Sequence, residues 1–195
     1  MTGWVSLEKE NYDMKKIVGV VLLSIVCLFN VTEARYRAIF DSARDKIVYE
    51  AKKKASGFSK QEMISVCKEI STNGEKTCYV LITFQGKGMG ARRFGNIAKV
   101  ETDNKEYLIS RNIQAVHILK PPHIAFARAE FILPLDVAED IVSGNTLVFK
   151  FYLDDKEKNI VISDSFVREI QFVLSLDKED YLAVCRKEIR PLLSD

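Results

Sequence analysis

Proline and glycine are scarce in this chain, four and nine among 195 residues, and the glycines follow no period. That excludes a collagen-like fibre and a Pro/Gly-rich linker. Histidine occurs twice and cysteine four times, too scattered for a zinc cluster, and no metal or cofactor is expected. Charge of one sign is also lacking. Lysine and arginine number 29 against 27 acids, a net charge of +2, far below the concentrated positive charge of a nucleic-acid binder. Gly-x-Ser-x-Gly, His-Glu-x-x-His, Gly-Lys-Ser/Thr and calcium-loop patterns are all absent. Hydrophobic residues make up 47% and charged residues 29%, which leaves a globular chain rather than a disordered one.

Long apolar runs are missing too. Ile17 to Phe29 holds 13 residues, and as a helix it rises roughly 20 Å, short of the ~30 Å hydrocarbon core. Met14-Lys15-Lys16 stands directly before it and Thr32-Glu33-Ala34 after it. A charged start, a short apolar stretch and a small-residue exit are the parts of a secretory signal. Residues 1–34 are therefore expected to be a signal peptide cut before Arg35. Residues 1–13 are polar and acidic, so Met14 is the better initiator. Cutting there removes three lysines and four acids, leaving 26 basic and 23 acidic side chains and a net charge of +3. The short signal and Lys-rich body point to a bacterial envelope, with the mature chain periplasmic or secreted. Membrane contact is then limited to the signal segment before cleavage. In that compartment Cys67, Cys78 and Cys185 tend to pair.

Residues 35–54 carry two patterns at once. Tyr36, Ile39, Phe40, Ala43, Ile47 and Ala51 follow helical spacing, yet Arg37–Phe40 and Lys46–Tyr49 also read as strands around a polar turn. Ser59-x-x-Glu62 matches a capping box, and Met63, Ile64, Cys67 and Ile70 behind it predict a helix stopped by Asn73-Gly74. Thr77 to Gln85 is β-branched and aromatic and predicts a buried strand.

The order Ala38-Ile39 with Asp41, a helix carrying Cys67, then Cys78 opening a strand that ends Phe84-Gln85-Gly86 resembles a family of small secreted bacterial domains of unknown function. The resemblance covers about residues 37–91 and implies that the ambiguous segment is a hairpin. It implies no activity. The helix here is not Ala-rich, and the glycine segment has Lys87 and Met89 but no Cys, both departures from that family.

Gly86 to Gly95 holds four of the nine glycines and marks a seam between a hairpin–helix–strand unit, 35–91, and a second unit, 92–195. Beyond the seam, apolar segments at 97–101, 106–110, 113–119, 124–133, 147–153, 160–162 and 166–174 alternate with polar turns. They predict a mostly antiparallel β-sandwich or open barrel. Asp136 to Ser143 predicts one or two helical turns. Asp177, with Asp180 three residues later, opens a final short helix. The expected fold class is α+β.

Cys67 and Cys78 lie 11 residues apart and are expected to form a disulfide, with Cys67–Cys185, Cys78–Cys185 or no bond as alternatives. Lys87, Arg92 and Arg93, with Phe94 interleaved, form a candidate binding loop, since loops on a rigid scaffold gather recognition residues. The bland reading is a solvated connector. No catalytic residue is expected. The function expected is a non-enzymatic accessory or inhibitor- or immunity-like protein that engages another envelope or secreted protein. The alternative is a small hydrolase using a Cys185–His117 pair.

Overall fold

The computed structural model describes residues 36–54, 62–86, 92–103, 105–118 and 125–188. The signal-segment and start-site expectations lie outside these residues, as do Lys87 and Ser59. No helix among the described residues is long and apolar enough to cross a membrane. Among the described residues nine strands form one sheet: β1 Tyr36–Asp41, β2 Lys46–Lys54, β3 Glu62–Ser71, β4 Lys76–Gly86, β5 Phe94–Thr102, β6 Lys105–Ile118, β7 Ala125–Leu133, β8 Val148–Leu153 and β9 Lys156–Val161. Helices α1 Leu135–Ser143, α2 Asp164–Ser175 and α3 Tyr181–Cys185 complete the fold, with a 3-10 turn Lys178–Asp180 before α3. The strand order is β1-β2-β3-β4-β7-β6-β5-β8-β9, and every pair is antiparallel. The molecule is thus a mostly antiparallel β protein with a few short helices. Strands from before and after residue 91 share the one sheet.

The turns are set by local chemistry. Asp41 closes the β1–β2 hairpin by accepting the N–H groups of Ala43 and Arg44 at 3.1 and 3.3 Å, and Asp45 takes a positive φ of 52°. Asp154 and Asp155 join β8 to β9 with φ of 51° and 59°, the two-residue geometry whose twist matches that of the flanking strands.

Two segments change element type relative to the sequence expectation, and the segments 106–110 and 113–118 are one strand, β6, with a bulge between Arg111 and Ile113. The predicted helix after Ser59 is strand β3. Its buried row Ile64, Val66, Lys68, Ile70 alternates with period two, and β2 and β4 supply partners on both sides. Asn73-Gly74 is accordingly a hairpin turn, with Gly74 at φ 86°. Residues 166–174, expected as a strand, belong to helix α2. Phe166, Val167, Ile170, Val173 and Leu174 recur at helical spacing and make one buried stripe.

One face of the sheet carries the core, and the sheet curls around it. Phe84 on β4 and Phe151 on β8 lie four strand positions apart, which a flat sheet would separate by about 19 Å. Their ring centroids are 5.9 Å apart, and Phe94 on β5 stands 5.8 Å from the first and 5.9 Å from the second. Helices α1 and α2 pack on each other, and α2 on β2 and β3.

Candidate functional site

The stretch entering β5 is fastened rather than loose. Arg92 pairs through Nη1 with the Asp154 carboxylate, and the Arg93 N–H donates to Asp154 Oδ1 at 2.8 Å. The Asp154 N–H donates back to the Arg93 carbonyl at 2.8 Å. These bonds, the Arg92 guanidinium foremost, hold the Asp154 carboxyl below the usual carboxylate range. Arg111 donates to the Phe94 carbonyl, to Gln114 Oε1 at 2.7 Å and to Asn96 Oδ1 at 2.6 Å. Arg92 and Arg93 remain exposed. Phe94 does not: it is 3% exposed, inside the aromatic cluster, so its expected role in presenting an apolar group to a partner gives way to a core role.

Apolar groups are presented one residue further on. The outward row of β5 is Ile97, Lys99, Glu101. On β6, Leu108 stands opposite Lys99 and Ser110 opposite Ile97. On β8, Lys150 stands opposite Lys99, and Tyr152 belongs to the same outward row. Leu108 is 64% exposed, and Ile97 and Tyr152 are exposed as well. Diagonal neighbours such as Ile97 and Leu108 lie within reach of each other across a strand pair. Lys99–Glu106 at 2.8 Å and Lys150–Glu101 frame the trio. Each lysine is held above its ordinary range, chiefly by the hydrogen bond to its partner glutamate. Arg92 and Arg93 lie at the end of this face, since Asp154 follows Tyr152 by two residues. Sequence reasoning missed the trio, although a signal was present. Ile97-Ala98, Leu108-Ile109 and Tyr152-Leu153 are adjacent apolar pairs. In a strand buried on one face, such a pair leaves one apolar member outside.

The cysteines stand apart. Cys67 lies opposite Tyr79, whereas Cys78 lies opposite Lys68, so the two thiols occupy opposite faces of the sheet. Cys67 packs outward with Tyr79 and Leu81, and Cys78 packs into the core; both are free thiols. A bond needs Cβ vectors that converge, and this register makes them diverge, contrary to the expected 67–78 pairing. Around Cys67, Tyr79 Oη donates to Glu69 Oε1 at 2.7 Å and Lys46 pairs with Glu69 Oε2 at 3.0 Å. Burial pushes the Cys67 thiol well up, and likewise Cys78, against which the Lys68 ammonium pulls.

Cys185 and His117 are not brought together. Cys185 ends α3, whose Tyr181 ring lies 6.5 Å from that of Phe40, and Phe40 shares a level of the sheet with Ile47, Ile70 and Lys76. His117 pairs with Phe126 on β7, which pairs with Gln85. Lys76 and Gln85 are at opposite ends of β4, roughly 30 Å apart at strand rise.

No family model matches the chain, and no curated protein matches it. Among solved structures, the crystal structure of invasion associated protein b from Bartonella henselae is similar, with a TM-score of 0.40 and 6% identity over 72% of this chain and 92% of that one. The likeness is too slight to bear on fold or function.

Proposed function

We propose that the chain is an exported, non-enzymatic protein-binding protein of a bacterial envelope, inhibitor- or immunity-like. In this reading the curled sheet serves as an open barrel whose outer β5–β6–β8 face meets the partner. The observation that carries it is the trio Ile97, Leu108 and Tyr152 exposed on neighbouring strands, with Arg92 and Arg93 at one end. Single exposed apolar residues are ordinary on a soluble surface, but a contiguous group rimmed by charge is the composition of an interface. Tyrosine and arginine are also the residue types enriched at binding hot spots. The partner that fits presents apolar side chains beside carboxylates. The net charge of +3 expected after cleavage is too small to steer association by itself, so salt dependence should arise from the two arginines.

The test uses the mature chain as bait in an envelope fraction, beside a Leu108→Glu variant and an Arg92→Ser/Arg93→Ser variant, each checked by thermal melting. A partner held by the wild-type chain, lost with Leu108→Glu and less salt-sensitive with the arginine variant supports the proposal. An unchanged set of captured proteins with both variants overturns it. Export itself is tested by N-terminal sequencing of protein recovered from the periplasm or medium, with Arg35 as the expected first residue.

A further inference from the structure

Lys68 is a charged residue in a core row. It is 6% exposed on β3 between Val66 and Ile70, and its Nζ donates to the carbonyls of Leu174 at 2.7 Å and Leu176 at 2.5 Å. Those are orphan carbonyls at the negative end of α2, so the ammonium closes the helix. The closure is incomplete in two respects. An ammonium has three donors, and the third has no partner among the described residues. Nor does Lys68 form an ion pair among them, because the nearby Asp177 is engaged by Lys76 Nζ at 2.5 Å. Buried charges are normally paired. Here desolvation dominates and lowers the affinity of Lys68 for its proton, with Asp177 opposing.

Beside this ammonium lies a cavity of about 290 Å³ bounded by β3, β4, α1 and α2. Leu135, Ala138, Val142 and Leu174 make its walls apolar, and Cys78, a neutral thiol, lies against it. Leu135 and Val142 are exposed, so α1 turns apolar side chains toward the opening as well as toward the core. Lys76 stands on the Lys68 side, and Glu139 lies on the α1 side. An anion is therefore favoured only at the lysine end.

We propose that this cleft binds a small amphipathic carboxylate, an acyl chain with its carboxylate on Lys68 and its tail along Leu135, Val142 and Leu174. The carboxylate takes the third N–H and supplies the missing countercharge. The cavity has room for a short acyl chain, and octanoate serves as the probe. The inference is independent of the β5–β6–β8 face.

The experiment titrates the full chain with octanoate, and with octan-1-ol as the neutral isostere, by calorimetry. Octanoate should bind at least about tenfold more tightly than octan-1-ol, the usual margin of a charge-assisted hydrogen bond. Lys68→Met should remove that margin and leave octan-1-ol unaffected. Val142→Trp, which leaves Lys68 in place and fills the cleft, should weaken both ligands. Equal affinity for the two ligands, no binding of octanoate, or octanoate binding unaltered by Val142→Trp would overturn the proposal. If Lys68→Met fails to fold, the octan-1-ol comparison and Val142→Trp decide the matter alone.

Discussion

Replacing Phe94 by alanine separates a core role from a surface role at the residue where β5 begins. The side chain is 3% exposed, with rings of Phe84 and Phe151 at 5.8 and 5.9 Å. Truncating a buried phenylalanine removes its transfer free energy and leaves a cavity, together about 3–5 kcal/mol. Here the cavity would open where β4, β5 and β8 meet, between strands whose backbones are held by their own ladders, so little collapse is available. For a chain of this size m in urea is about 2 kcal/mol per molar, and the midpoint should fall by roughly 1.5–2.5 M. Equilibrium urea unfolding followed by fluorescence and circular dichroism measures this, with coincidence of the two probes securing the two-state treatment. Arg92→Ser serves as the control and should leave the midpoint within error, because it removes only an exposed pair. A Phe94→Ala shift below about 0.5 M, a loss near 1 kcal/mol, would refute the core assignment and return Phe94 to the binding loop.

Three further outcomes are expected. Alkylation of the unfolded protein without reductant, read by mass spectrometry, should label Cys67, Cys78 and Cys185 alike; a peptide joining 67 to 78 would contradict the β3–β4 register. Burial pushes the Glu62 carboxyl up to about 7, with Lys158 pulling it down, so the folded state holds that proton more tightly than the unfolded one. The stability it contributes is present below the ordinary carboxylate range and lost as pH rises through 7. Glu62→Gln should therefore flatten stability between pH 5 and 8 and gain about 1 kcal/mol at pH 8 after allowance for solvent screening; an unchanged slope would reject this. A Cβ on Gly144 would overlap Thr102 Oγ1 and lie 3.1 Å from the Asp140 carbonyl, so Gly144→Ala should cost about 1–3 kcal/mol, and less in a Thr102→Ala background. Equal cost in both backgrounds would show that the clash is elsewhere.

Where local pattern and tertiary environment agree, the sequence is readable. The Asp41 turn, α1 and the Asp177–Asp180 capping box are all legible, because each depends on residues close in the chain. β3 resembles a helix in the sequence for a specific reason. Lys68 breaks the apolar row on the core face, and Cys67 adds an apolar residue on the other, so alternation is hidden while Met63, Ile64, Cys67 and Ile70 imitate a helical stripe. Only β2 and β4 on either side, and the α2 carbonyls that receive Lys68, make the strand the better solution. In α2 the composition rather than the spacing misled, since Phe166, Val167, Ile170 and Val173 are types common in strands. As for the site, the exposed arginines were legible as a cationic pair. The Lys68 cleft joins residues more than 100 positions apart and has no local signature.

The position of β7 has a consequence for how the chain acquires its structure. β1 to β4 form successive hairpins, and β5 pairs with β6, but β4 finds no neighbour on its far side until residues 125–133 have been made. Until then Cys78 to Phe84, an almost wholly apolar and β-branched stretch, lies on an open edge. Such an edge is a template for pairing with another chain. The contacts that close it join residues about 50 apart, and loop closure makes them slow relative to the hairpins. β7 is thus the element whose arrival covers this edge, and the faster it docks the shorter the time β4 is open to pairing with another chain.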